Sequence, residues 1–509
     1  MSRSYTGLPY PESHAYLDVI NESSERDEII DLTAANPISA PPPEVEEAFK
    51  SAPTDRQPGM SRGNGPTLAR LVAFFKKRGI ECNMRNVFLY SGILDTIGKI
   101  YDIKKVKEKG GVVLFPTPTF GVYFEQVDEK KIPYKTIPTT EAHRYMLDPL
   151  DLEAAIQSEL KKRGDGIPII LILCYPNNPT GAVMTEENAR AIAEVVKKYK
   201  NVHVIADEAF LMNRMDDYEK HFSLAAVGGD ILKQTTTVTS FAKSTDCSTR
   251  TNFGITGEAD AERFARKGGY NSHDQKGIST AIDIWLKEEE KYEKAVKAVA
   301  EAVAILGSDD EEYLYNPRGD EEAYKEMEAL SKYQYYGDNR ELYRENIKLI
   351  KERVDELNQR FSEIFGEEKT GDDAYIKAFI PDPEYGGMYL LQFEGLRDKI
   401  FNGRPMATGL DVTKWLHDSA KVGVVPGECF GFNEDKMMIR MAIGCEKDLI
   451  DLVFSLMNEA AKEIQRSPLE AGKPSSKPSP DDEKAKRLSE YLAKEGLDRL
   501  SKEYGMSKV

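Results

Sequence analysis

Three short groups in the middle of this 509-residue chain have side chains suited to chemistry on an amine-bearing carbon. Asn178-Pro179-Thr180-Gly181 offers an amide, Asp207-Glu208-Ala209-Phe210 a carboxylate, and Ser240-Phe241-Ala242-Lys243 a primary amine. Taken singly they are commonplace: a turn after a strand, a helix start and a solvated lysine. Together they suit a pyridine aldehyde. A partly desolvated lysine amine is a nucleophile at neutral pH, so Lys243 is placed to form a Schiff base with the aldehyde. Asp207 pairs with the ring nitrogen and keeps it protonated, which makes the ring an electron sink. Asn178 donates to the ring hydroxyl oxygen.

Positioning these groups requires a sheet. Residues 169–175 are apolar on both faces, the mark of a buried parallel strand, and apolar runs are expected before Asp207 and before Ser240 as well. Between the first two runs, Thr185 reads as the N-cap of a helix whose inner face is Ala189, Ile192, Val195 and Val196. Strand, helix, strand implies a parallel sheet with helices on its faces, and ligands of such sheets bind beyond the carboxyl ends of the strands. Residues 87–90 read as a further strand, after which Ser91-Gly92-Ile93 opens a helix whose free N–H groups suit a phosphate. Another strand, 112–115, leads to Phe120.

In their order, with Asp207 29 residues beyond Asn178 and Lys243 36 beyond Asp207, these motifs resemble those of the fold-type-I, class I/II aminotransferases that use pyridoxal phosphate. The resemblance covers residues 30–465 outside an insertion. It implies an α/β fold: a large domain with a mostly parallel seven-stranded sheet sandwiched by helices, and a smaller α+β domain. It implies residues 1–50 as an N-terminal arm and part of the small domain, 51–287 as the cofactor-binding large domain, and 338–466 as the small domain. Residues 288–337 form a charged helical insertion and 467–509 a linker with a C-terminal helix. The first 50 residues are expected to be mostly irregular, and residues 342–361 to form the helix that links the lobes.

The same resemblance assigns pyridoxal 5'-phosphate as cofactor. It is held by Lys243, Asp207 and Asn178, with Phe120 stacked on its ring, and with Ser91, Gly92, Ile93, Ser240 and Arg250 at its phosphate. Arg440, in an alternating stretch at 438–442, clamps the substrate α-carboxylate together with Asn178. The implied reaction exchanges an amino group between an α-amino acid and a 2-oxo acid, in a homodimer or larger homo-oligomer.

Three departures stand out. Phe210 occupies the place of a tyrosine that donates to the ring oxygen. Arg250 lies seven residues past the lysine where the family has eight. No tyrosine stands between Gly59 and Gly65, where the family reaches the partner subunit's phosphate, and Arg62 is a candidate replacement. These motivate an alternative on the same cofactor: a lyase, decarboxylase or carbon–carbon bond-forming synthase. Retention of Lys243, Asp207, Asn178 and Arg440 weighs against a third option, a non-catalytic binding protein.

Bulk properties exclude other classes. A net charge of −17 argues against a general partner for nucleic acid or anionic membrane. Five cysteines at 82, 174, 247, 429 and 445 have no paired short spacing, so neither a disulfide scaffold nor a zinc site is expected, and no metal is assigned. A reducing cytoplasm fits this usage. The first 18 residues lack the pattern of a secretory leader, and no run approaches the roughly 20 apolar residues of a membrane span.

Overall fold

The computed structural model describes residues 10–26, 28–36, 43–50, 63, 65–211, 213, 221–243, 251–265, 276–287, 290, 339–380, 383 and 385–464. Arg62, Arg250, the expected insertion at 288–337 apart from Glu290, and the tail at 467–509 lie outside these residues.

In chain order, a two-residue strand β1 (Ile30–Asp31) precedes seven strands that share one sheet. They are β2 (Val87–Ser91), β3 (Val112–Thr117), β4 (Tyr134–Pro138), β5 (Ile169–Cys174), β6 (Val202–Asp207), β7 (Thr235–Thr239) and β8 (Thr251–Thr256). Their spatial order is β2-β8-β7-β6-β5-β3-β4. β8 is antiparallel to both neighbours and the remaining pairings are parallel. β2, β3, β5, β6 and β7 therefore all end at the same edge of the sheet.

Both faces are covered, which is why β5 and β6 read as continuous apolar runs. Leu171 and Val204 pack on one face with the helices Pro149–Arg163 and Glu186–Lys198. Ile172 and Ile205 pack on the other with residues of Ile93–Lys104 and Val122–Lys130. The helix at 186–198 begins where its pattern predicts. Thr185 Oγ1 accepts from the Asn188 amide at 3.2 Å, and Ala189, Ile192, Val195 and Val196 are buried. Such a cap is worth about 1 kcal/mol.

One strand differs from expectation. The run before Ser240 is Thr-Thr-Thr-Val-Thr, not apolar, yet all five residues are buried. Two of the four hydroxyls find partners inside the sheet: Thr236 Oγ1 lies 2.9 Å from both His203 Nε2 and Thr256 Oγ1, and Thr239 Oγ1 donates to the Glu208 carbonyl at 3.1 Å, while Thr235 Oγ1 and Thr237 Oγ1 have no hydrogen-bond partner among the described residues. β-branched residues suit a strand, and paired hydroxyls remove the penalty of burying them.

The small lobe is built on a second sheet, β9 (Lys377–Ala378), β10 (Met388–Gln392), then a short hairpin β11 (Ile400–Phe401) and β12 (Arg404–Pro405) apart from it, then β13 (Val422–Gly423), β14 (Val425–Pro426) and β15 (Met438–Ala442). Four of these form the antiparallel order β14-β15-β10-β9. Ile439 and Met441 face a core shared with the long helix Arg340–Phe365 and with Lys447–Ala460. Met438 sits in a separate cluster with Leu390 and Phe430, so the period of two turns Arg440 the same way, toward the large lobe.

The amino-terminal segment is more ordered than its composition suggests. Tyr10–Glu25 and Pro43–Lys50 are helices, contrary to the expected irregular arm. The first of these has few apolar residues, and its inward positions include Ser13 and Ser23 beside Ile20. Leu17 packs on the cluster holding Cys429 and Phe430, so tertiary contact supplies what local propensity does not. β1 then pairs in parallel with β13, Ile30 opposite Val422, tying this segment to the small lobe.

Candidate functional site

The edge shared by the ends of β2, β3, β5, β6 and β7 collects the residues singled out above. In register, Cys174 pairs with Asp207 and Asp207 with Val238, so the ends of β5 and β6 lie beside the strand that leads to Ser240 and Lys243. β2 runs in the same direction as β7, so the Ser91-Gly92-Ile93 turn that follows it comes to the same edge; nearby the Tyr90 hydroxyl donates to the Thr239 carbonyl at 2.9 Å. Gly92 has φ +88, a left-handed conformation that glycine adopts without strain, and no side chain caps the helix that follows. Its first N–H groups are thus available to an anion.

Asp207 is 4% exposed. Its Oδ2 accepts from the Tyr123 hydroxyl at 2.6 Å and its Oδ1 from the Ala209 amide at 3.0 Å. Among the described residues no cation pairs with it. Burial pushes its pKa up to about 6, against the opposing pull of those two donors, with the Glu208 charge adding to the rise.

Glu208 is the contrasting neighbour. Alternation turns it to the opposite face, where its Oε2 accepts from Arg78 Nη1 at 2.8 Å and its Oε1 lies 3.3 Å from His221 Nε2. His221 Nδ1 accepts from the Met184 amide at 3.3 Å, so Nε2 carries the proton that faces the carboxylate. Burial alone would raise the Glu208 pKa; the Arg78 guanidinium, with the neighbouring His221 adding to it, outweighs burial and holds it at about 2.

Lys243 is half-buried, its Nζ donating to the Ala35 carbonyl at 3.2 Å and to Asn36 Oδ1 at 3.1 Å. The ammonium stands 5.9 Å from the centroid of the Phe210 ring. Burial, and then the nearby Arg440 charge, lower its pKa, which enlarges the fraction present as free amine. Phe210 itself packs with Ala35 and Met388, and a phenyl ring has no donor to offer.

Arg440 is equally buried, at 4% exposure. One guanidinium nitrogen donates to the Thr33 carbonyl, another points to Met388 Sδ at 3.7 Å, and the group lies 5.3 Å from the Phe430 ring centroid. Nε has no hydrogen-bond partner, and no carboxylate pairs with the guanidinium among the described residues. Burial lowers its pKa to about 10. A buried guanidinium without an anion is costly, and a bound carboxylate relieves that cost.

The remaining side chains complete the crevice. Asn178 is buried and its Oδ1 has no partner, as is the case for Thr119 Oγ1. The adjacent Asn177 is fully used, donating to the Pro118 and Cys174 carbonyls and accepting from Thr180. Phe120 is half-buried and meets Tyr123 edge-on at 5.5 Å. Ser240 Oγ accepts from the Ala242 amide at 2.9 Å, which leaves its O–H to donate. The small lobe closes on this edge: Thr119 N donates to the Phe430 carbonyl at 3.0 Å, and a Cβ at Gly121 would overlap the Cys429 carbonyl oxygen.

The structure thus brings Asn178, Asp207, Ser240, Lys243, Phe120, Arg440 and the turn at 91–93 to the mouth between the lobes, while Arg250 is outside the described residues. The sequence motifs did not identify Tyr123, Arg78 or His221 as neighbours of the Asp-Glu pair. For Tyr123 a local signal existed, since it stands one helical turn beyond Phe120. Arg78 and His221 carried none.

A family model described as aminotransferase class I and II matches residues 27–256. The chain is 26% identical over 196 residues to an aspartate aminotransferase of Pyrococcus horikoshii, a match covering 38% of this chain and 47% of that protein. It is 23% identical over 442 residues to a bifunctional aspartate aminotransferase and glutamate/aspartate-prephenate aminotransferase of Petunia hybrida, covering 86% of this chain and 77% of that one. Among solved structures, an aspartate aminotransferase from Thermus thermophilus with maleate superposes with a TM-score of 0.62 at 17% identity, covering 90% of this chain and 99% of that chain.

Proposed function

We propose that this chain is an aminotransferase of class I and II, the family whose model matches its residues 27–256, and that it moves an amino group between an α-amino acid and a 2-oxo acid with pyridoxal 5'-phosphate. One observation carries the proposal. A buried carboxylate with no cation among the described residues, Asp207, ends the strand next to the one that leads to Lys243, and a buried guanidinium with no anion among them, Arg440, lies near enough to that lysine to lower its pKa.

The residues present fit the cofactor. Asp207 suits a protonated ring nitrogen, the unpartnered Asn178 Oδ1 marks an amide end with no protein group to satisfy it, and Phe120 offers a ring face. The turn at 91–93 and the Ser240 hydroxyl suit a phosphate. When bound, pyridoxal phosphate supplies an aldehyde for amine capture and a ring that accepts electrons from the substrate carbon.

What the chain contributes is position and protons. Lys243 supplies an amine whose lowered pKa favours the free form that can take a proton from a carbon acid and return it. While it is a free amine, its hydrogen bonds to the Ala35 carbonyl and Asn36 Oδ1 hold Nζ at this edge of the sheet. Arg440 binds a carboxylate in a planar, two-point grip, and so fixes which bond to the α-carbon is presented for cleavage. Small-lobe contacts to Thr119 and Gly121 close the mouth and exclude water.

The test is direct. Purified protein incubated with pyridoxal phosphate should take on a visible absorbance band and, after borohydride reduction, carry the adduct on Lys243. Lys243→Ala should show neither. A panel of amino donors with 2-oxo acceptors, analysed by mass spectrometry, should yield new amino-acid and oxo-acid pairs; a colourless wild type would defeat the proposal.

Phe210 favours a second reading. With no donor to the ring oxygen, the same site could run a lyase, decarboxylase or carbon–carbon bond-forming reaction, and products without an oxo acid would decide for it. A homo-oligomer and a reducing, cytoplasmic setting are further parts of the proposal. The latter is supported by free thiols at Cys82, Cys174, Cys429 and Cys445, and no described helix is long and apolar enough to cross a membrane. Sedimentation of the purified protein would test the oligomer.

A further inference from the structure

We infer that Tyr123 is the positioning residue of Asp207: its hydroxyl fixes the carboxylate and supplies the hydrogen bond that the charged form needs. The inference rests on the cofactor assignment made above. The hydroxyl donates to Asp207 Oδ2 at 2.6 Å, a charge-assisted distance, and both side chains are buried. The only other hydrogen bond to this carboxylate among the described residues comes from the Ala209 amide.

The donor is itself held in place. Tyr123 is the second residue of the helix Val122–Lys130, its amide bonds back to the Phe120 carbonyl at 3.3 Å, and its ring meets Phe120 edge-on. The turn entering this helix and the helix's first residues therefore carry, between them, the ring offered for stacking and the hydroxyl that orients the carboxylate. The two functions are coupled through a single rigid element.

The electrostatics give the direction of the effect. Burial works to neutralise Asp207, and Tyr123 is the larger of the two donors that oppose it. Three titratable groups face the carboxylate: Tyr123, Cys174 and Glu208. Burial drives the Tyr123 pKa far up and pushes Cys174 to about 12, and Glu208 stays near 2. Between pH 5 and 8 Asp207 is the member of this group that titrates. Without the tyrosine hydroxyl its protonation moves to higher pH, and a neutral acid holds a cationic ring nitrogen poorly.

The experiment is equilibrium dialysis of pyridoxal 5'-phosphate against wild type, Tyr123→Phe and Tyr90→Phe across pH 5 to 8. Each Asp207→Asn counterpart is run alongside. Ionisations of the ligand are common to every variant and cancel in the comparison. Tyr123→Phe should bind about tenfold more weakly near pH 5 and about fivefold near pH 6, as a displacement of about one pH unit requires, with the deficit shrinking toward pH 8. Tyr90→Phe also loses a buried hydroxyl, which bonds the Thr239 carbonyl instead, and should follow wild type. In the Asp207→Asn background the Tyr123 effect should vanish.

A deficit of equal size in Tyr90→Phe, one that persists in the Asp207→Asn background, or none at any pH would overturn the inference. Failure of wild type to bind the cofactor would instead remove the assignment on which it rests.

Discussion

The buried pair of Arg78 and Glu208 gives a prediction whose size follows from geometry. Glu208 is 1% and Arg78 10% exposed, with 2.8 Å between Nη1 and Oε2. The Glu208 pKa falls from an ordinary 4.5 to about 2. At 1.36 kcal/mol per pH unit, that depression represents about 3 kcal/mol of stability. Arg78→Met keeps much of the apolar stem but strands the carboxylate with His221 alone, and breaking such a pair costs about 3–5 kcal/mol.

The sign of the pH dependence follows from a folded pKa below the unfolded one. The contribution is fully present above 4.5 and is lost as pH falls toward 2. Urea unfolding of wild type and Arg78→Met, followed by tryptophan fluorescence, should give a difference of about 3–5 kcal/mol at pH 7. That difference should drop to under half by about pH 3 as Glu208 becomes protonated in the unfolded chain. Replacing both partners, Arg78→Met with Glu208→Leu, should recover much of the loss. A single variant within about 1 kcal/mol of wild type, or a difference flat with pH, refutes the assignment of Glu208 as a buried charge held by Arg78.

Two predictions bear on the reaction. Arg440→Gln should raise KM for every active amino acid by about 10–100-fold, measured by steady-state kinetics, because the lost contact is to a carboxylate common to all of them. An effect confined to one side-chain class would contradict that role. Phe210→Tyr places a hydroxyl beside the Lys243 amine and should lower, by about one pH unit, the midpoint of the cofactor's absorbance change. An unchanged midpoint in a variant that still binds the cofactor would show that Phe210 does not face the ring oxygen.

Sequence alone determined the elements whose cause is local. Thr185 with its inward face of Ala189, Ile192, Val195 and Val196, and the apolar strands ending at Cys174 and Asp207, follow from periods of 3.6 and 2 that a chain carries in itself. Because parallel strands end at one edge, the order Asn178, Asp207, Lys243 was enough to place three groups at one crevice. The alternation at 438–442 likewise made Arg440 the odd residue in its strand.

Tertiary structure decided what depends on a distant partner. Thr236 of β7 is satisfied in the interior because His203 and Thr256 come to it, and the helix Tyr10–Glu25 turns Ser23 inward onto His417 and packs Leu17 on the cluster holding Cys429. Arg78, Glu208 and His221 meet from three separate segments, and no spacing rule relates them. Tyr123 could be read as an ordinary core aromatic until its oxygen was found on Asp207. A side chain's period announces which face it occupies; what it touches there is fixed only when another part of the chain packs against that face.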